Sequence, residues 1–218
     1  MYKKVFLVYL MLLSLKLGES QVLQFGTCAE VKPMQYFDLE RFLGEWFVIE
    51  RFPTWFEQYG TCAYKRLQYC RKRVEIEHIY VKDGIQYVLH LNSSYVLGDE
   101  PVFVVQENNI DPVGIPLTVI ASDYYSYAVV YGCRHVEDQG LQYLLAWILS
   151  RTSTLPAETL KKARQELNAV PFANLDYLEK VDQSEKQCSY YWTAHIQAEN
   201  ITEAVRSEIL TKRFFVSD

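Results

Sequence analysis

The chain has 218 residues, 50% of them hydrophobic, 15% aromatic and 22% charged, and 22 Lys and Arg stand against 27 Asp and Glu for a formal net charge of −5. That length and apolar content suit one domain with a sizeable core. The acidic balance argues against nucleic acid as a partner.

Residues 1–20 carry Lys3 and Lys4, an apolar run over 5–15 and small residues at Gly18 and Ser20, the pattern of a secretory signal cleaved before Gln21. A membrane span needs about 18 unbroken apolar residues, and Lys16 ends this run early. The expectation is a secreted, extracellular protein, in which Cys28, Cys62, Cys70, Cys133 and Cys188 meet an oxidising compartment. Five is an odd number, so one thiol is left over, and spacing does not choose the pairing.

The stretch over 37–53, FDLERFLGEWFVIERFP, opens with a helical turn capped by Asp38, with Arg41 three positions on, and continues as a strand over 44–52. By alternation Trp46, Val48 and Glu50 share one face of that strand, and Phe47, Ile49 and Arg51 the other. Gly44 lets the backbone pass close to another segment beside the Trp46 indole. The following loop over 53–60, PTWFEQYG, holds Trp55, Phe56 and Tyr59, too many large rings for an ordinary solvent loop. It reads as a lid over a ligand; the other reading is outward contact with a membrane or lipoprotein surface, for which no basic cluster is at hand.

Alternating runs over 62–70, 74–81, 85–92, 102–106, 115–121, 127–131 and 141–150 follow, broken by turn residues that include the hairpin signal Asp83-Gly84. With the strand over 44–52 these make eight, at a spacing that suits a sandwich or an up-and-down barrel. A helix starts at Pro156, with Ala157, Leu160, Ala163, Arg164 and Leu167 at helical spacing and Thr154 as its cap. Residues 172–178 suggest an edge strand. Over 200–211, Ile201, Val205 and Ile209 recur every four residues, which allows an amphipathic helix, although a frayed surface tail is the expectation. Asn92-Ser93-Ser94 and Asn200-Ile201-Thr202 are acceptor triplets for N-linked sugar.

Three blocks carry a resemblance: Gly44-Glu45-Trp46 on the first strand, Ser122-Asp123-Tyr124-Tyr125-Ser126-Tyr127 between two β-rich runs, and Arg151 closing the run over 144–150. In this order the chain resembles the lipocalin family, and within it the branch of apolipoprotein D, Lazarillo and bilin-binding proteins. Ser122 stands where the family has threonine and keeps the hydroxyl. The resemblance implies an all-β fold, an eight-stranded antiparallel up-and-down barrel with one α-helix packed on it, over 21–188, with 189–218 as an extension beyond it. It also implies that Cys28 pairs with Cys133 and Cys62 with Cys188, leaving Cys70 free. Arg151 is then expected over Trp46 at a closed end that includes Gly44, Asp123 and Tyr124.

An eight-stranded barrel has room for one small ligand. By parity Tyr143, Leu145 and Trp147 point inward from the last strand, Lys65, Leu67 and Tyr69 from the second, His78 from the third and Tyr87 from the fourth. With Trp55 and Phe56 of the lid these are the candidate ligand contacts, a plain packed core being the alternative for the rings. Lys65, placed near the mouth, reads as snorkelling to solvent; capture of a ligand carboxylate is the other reading. His78 reads as a hydrogen-bonded wall residue rather than a haem ligand. No cofactor or metal is expected.

The sequence has no Gly-x-Ser-x-Gly elbow, no His-Glu-x-x-His and no phosphate loop, so the usual signals of hydrolases, zinc proteases and nucleotide enzymes are missing. The expected function is a non-enzymatic secreted carrier that binds a fatty acid, sterol, retinoid or bilin non-covalently. Two alternatives stand beside it. One is an isomerase using Cys70, which Arg71, Lys72 and Arg73 follow; parity turns that thiol outward, where disulfide-linked dimerisation suits it better. The other is an interaction protein acting through the aromatic loop and the tail.

Overall fold

The computed structural model describes residues 21–57 and 60–215, so the signal segment expected over 1–20 and Tyr59 of the lid lie outside the described residues. A short strand β1 (Val22–Phe25) and a helical turn α1 (Leu39–Phe42) precede the strands β2 (Gly44–Arg51), β3 (Thr61–Cys70), β4 (Arg73–Lys82), β5 (Ile85–Ser94), β6 (Val102–Val105), β7 (Leu117–Ser122), β8 (Tyr127–Val136) and β9 (Leu141–Ser150). Each of the eight from β2 to β9 pairs antiparallel with the next, and β9 pairs with β2. That last pairing turns the meander into a barrel and removes its long free edges. β1 lies along β9, with Val22 opposite Leu144.

The local chemistry explains most of the corners. Asp38 caps α1, its carboxylate accepting from the Arg41 N–H at 3.2 Å. The Asp83-Gly84 pair turns β4 into β5 with φ of 53° and 75°, the two positive values that a type I′ hairpin demands. Two disulfides, Cys28–Cys133 and Cys62–Cys188, tie the N-terminal arm and the C-terminal segment to the barrel, while Cys70 stays reduced and exposed.

The inner faces of the strands form one apolar cluster, centred on Trp46, Leu145 and Trp147. A second cluster lies outside, where helix α2 (Ala157–Asn168) sets Ala163 and Leu167 against Val129, Tyr131, Ala146 and Ile148. Arg164 of that helix forks onto the buried Glu50, its Nε donating at 2.8 Å.

Four expectations need correction. Alternation through β2 fails at a bulge between Val48 and Glu50. An extra residue reverses the parity, so Glu50 leaves the face of Trp46 and turns out to Arg164, and Arg51 turns in. Thr154 does not cap α2: its carbonyl accepts from the Ser150 and Thr152 hydroxyls, and the helix begins after Pro156 with no side-chain cap. Residues 172–178 form no strand, because the Asn174 side chain takes the Asp176 N–H and starts a 3₁₀ turn over Leu175–Tyr177; only β10 (Glu179–Lys180) then pairs with β2.

The tail is the fourth. Instead of fraying, it forms β11 (Trp192–Gln197) and helix α3 (Glu203–Phe215). β5 and β6 share only the pairs Ser93 with Val105 and Ser94 with Val104, so the first half of β5 would show unpaired backbone groups. β11 fills that side in parallel register, from Trp192 opposite Ile85 to Gln197 opposite His90. Beyond it, Asn109 and Glu199 exchange hydrogen bonds and Arg206 reaches Glu107 at 3.7 Å.

Candidate ligand site

One end of the barrel is shut. The Arg151 guanidinium lies 3.6 Å from the centroid of the Trp46 ring and donates to the carbonyls of Tyr124 (3.1 Å), Glu45 (2.8 Å) and Arg41 (2.7 Å). Trp46 in turn donates its indole N–H to the Phe42 carbonyl at 2.7 Å. Gly44 suits its place beside them because its φ is 95°, a conformation that favours glycine. Asp123 accepts the N–H groups of Tyr125, Ser126 and Tyr127, and the Tyr124 hydroxyl accepts the Asp38 N–H at 2.9 Å. These residues fix the floor of the barrel.

The other end is covered by the loop after β2. Trp55 is buried, donates its indole N–H to the Ile110 carbonyl at 2.9 Å and packs edge-on against Tyr143, with 5.7 Å between ring centroids. Phe56 sits edge-on to His78 at 5.3 Å. Both rings therefore turn into the mouth, as a lid does, and not out toward a surface.

Between floor and lid the wall carries a charged cluster. Glu57, 1% exposed, hangs from the lid into the barrel. Its Oε1 pairs with the Lys65 ammonium and lies 3.1 Å from His78 Nδ1, and its Oε2 takes the Trp147 indole N–H at 3.1 Å and lies 3.5 Å from Arg51 Nη1. The Lys65 Nζ also lies 2.5 Å from His78 Nδ1 and over the Trp147 ring at 4.5 Å. An ammonium has three donors, enough for one Lys65 to serve both Glu57 and an unprotonated His78 nitrogen. Burial, then the Lys65 charge, hold the His78 imidazole well below the ordinary histidine range. Burial, then the Arg51 charge, push the Lys65 amine well below the ordinary lysine range; the carboxylate beside it opposes that push.

Expected snorkelling of Lys65 is thus overturned. Its backbone pairs with Trp46 on one side and His78 on the other, deeper than the mouth, and the side chain is 4% exposed. Solvent is out of reach from there, so a partner had to come to it. Glu57 and Arg51, which complete the cluster, were missed. The signal was a lone acid inside the aromatic loop, read together with an inward lysine and histidine that lacked a counter-charge.

No family model matches the chain. A search of solved structures finds insecticyanin of Manduca sexta, with a TM-score of 0.71 at 24% identity, covering 82% of this chain and 97% of that one. Among curated proteins, the bilin-binding protein of Pieris brassicae is 27% identical over 185 residues, 83% of this chain and 97% of its own. Apolipoprotein D of Cavia porcellus is 32% identical over 167 residues, 69% of this chain and 82% of its own. The chain belongs to the lipocalin family.

In this lipocalin the remaining candidate residues divide by depth. Leu67 pairs with Gly44 and Tyr69 lies beyond it, so both belong to the floor. Leu145 and Trp147 line the middle, and Tyr143 and Tyr87 stand toward the mouth. Tyr87 stacks on Tyr80 at 5.2 Å, and burial pushes the hydroxyls of Tyr80 and Tyr143 up to about 12. Asn92 and Asn200 are both exposed. Cys70 ends β3 at the closed end, on the face opposite Tyr69, so the thiol of this lipocalin does not line the interior.

Proposed function

We propose that this lipocalin is a secreted carrier that holds a small hydrophobic ligand non-covalently inside the barrel, between the Trp46 floor and the Trp55–Phe56 lid. The observation that carries the reading is a closed barrel whose inner face is apolar and aromatic, with its only charged cluster among the described residues gathered on the lid carboxylate. A bilin-binding protein aligned over 97% of its length supports the same use of the barrel here. Ligand contacts are then Trp55, Phe56, Lys65, His78, Tyr87, Tyr143, Leu145 and Trp147 above the floor residues Leu67 and Tyr69. Two disulfides fit export into an oxidising compartment, where Asn92 and Asn200 would meet the glycosylation machinery and the exposed Cys70 could join two copies.

The isomerase reading needs a thiol in the pocket, and the surface-contact reading needs outward rings; Cys70 faces out and Trp55 faces in. Native mass spectrometry of the protein from its own source, with an absorption spectrum, tests the carrier. A bound lipid or pigment mass is expected. Protein that carries no small apolar molecule and takes up none from a lipid extract would overturn it.

A further inference from the structure

We propose that the C-terminal extension is an acid-released strap: His195 of β11 and His90 of β5 hold it against the barrel through one shared proton, and full protonation of the pair frees it. The inference concerns the outside of the barrel and goes beyond the carrier reading.

The strap is held lightly. None of the six residues of β11 is buried, and Trp192 is 65% exposed, so apolar packing adds little to the parallel pairing with β5. Backbone bonds flank the strand, from the Tyr191 N–H to the Gly84 carbonyl at 3.0 Å and from the Ala198 N–H to the His90 carbonyl at 2.9 Å. Among the described residues, a single hydrogen bond between side chains joins β11 to β5. It runs between His90 Nε2 and His195 Nδ1 at 2.9 Å.

That bond needs one bare nitrogen, since whichever ring donates, the other has to accept. A first extra proton is accommodated: one ring becomes a cation and donates to the bare nitrogen of the other. Full protonation leaves two N–H groups facing each other and two cations in contact. Neighbouring charges do not restore the missing acceptor. Over their paired ranges β5 and β11 carry no other charged side chain. Glu77 of β4 lies 3.2 Å from His90 Nδ1 and is shared with Arg66 of β3, itself held by Glu45 of β2, while Glu75 of β4 lines the same outer cleft. Past the end of β11, Glu107 is engaged by Arg206 at 3.7 Å and Arg134 at 3.9 Å. All of the groups from β2, β3 and β4 stay beside His90 whether or not the tail is docked. What changes on release is that His195 leaves a neighbour that opposes its charge, so the docked form binds fewer protons than the free one. Docking therefore weakens as pH falls through the histidine range, from about 8 to about 5. Release uncovers the backbone edge of β5 over 85–90.

Deuterium exchange of the full chain at about pH 7.5 and about pH 5, corrected for the intrinsic effect of pH on amides, tests the strap. Protection over 85–90 is expected to fall about tenfold more than protection over β8 and β9, as uptake of one proton on release requires. His195→Gln keeps a polar side chain that does not titrate, and there the excess loss should shrink to about twofold or less; His78→Gln, which removes the buried histidine of the barrel, should keep it at about tenfold. An equal fall over 85–90 and over β8 and β9 in the natural chain would overturn the proposal, and so would an undiminished excess in His195→Gln. Should that variant prove undocked at both pH values, nitrogen-15 signals of the imidazoles in the natural chain give the answer. His90 and His195 should become fully charged together with the loss of protection; a fully charged pair beneath a still protected 85–90 would refute the strap.

Discussion

The indole N–H of Trp147 donates to Glu57 Oε2 at 3.1 Å across 90 residues of chain, and this bond joins the barrel wall to its lid. Because Lys65 and His78 share the same carboxylate, lid closure and interior charge form a single arrangement.

Acid should loosen it through His78. The folded-state pKa lies well below the unfolded value of 6.5, so the folded protein binds that proton less readily than the unfolded chain. The contribution to stability is therefore fully present above pH 6.5 and is lost as pH falls through the folded value, at a slope of up to about 1.4 kcal/mol per pH unit. Urea midpoints measured at a series of pH values, for the natural chain and His78→Gln, should show a flatter acid limb in the variant. Parallel limbs would mean that His78 does not titrate on unfolding.

Arg151→Lys should cost about 2 kcal/mol or more, since a lysine cannot reproduce a planar fork that serves several carbonyls while lying on an indole. Equilibrium denaturation reads the loss. Trp46 is the sensor: it is fully buried beneath the guanidinium, and its emission should shift red in the folded variant if the floor loosens.

Arg164→Ala removes the partner of Glu50, whose side chain is 4% exposed against 47% for the arginine. A carboxylate left buried without its cation costs about 3 kcal/mol, and the half-exposed arginine reduces this toward about 2. The double variant Arg164→Ala with Glu50→Gln should recover part of the loss. Failure to recover would show that Arg164 acts through packing on the barrel instead of through its charge.

Truncation after Cys188 removes β11 and α3 while keeping both disulfides. Amides over 85–90 of β5 should then exchange with deuterium faster, and those of β8 and β9 should not change, because β5 is the strand that β11 pairs with. Unchanged protection over 85–90 would mean that β11 does not stay docked in solution.

The strands, the hairpin at Asp83-Gly84 and the cap at Asp38 were legible because each depends on neighbours in sequence: alternation, positive φ and a side chain reaching three residues on. Lys65, His78 and Trp147 were legible as inward-facing for the same reason. The tail was not, since what holds β11 is the exposed half of β5, more than 100 residues earlier in the chain. Thr154 misled because a threonine two residues before a helix proline suits a cap and a turn equally well.

By itself, the sequence determined an acidic chain of eight strands and a helix, with Trp46 and Arg151 marked as partners by a family pattern. Only the tertiary structure decided what fills the barrel. A one-residue bulge in β2 exchanged Glu50 for Arg51 on the inner face, and the lid folded inward far enough for Glu57 to meet Lys65. Neither has a local signature, because a buried ammonium fixes the need for a counter-charge and leaves to the packing of the whole chain which carboxylate supplies it.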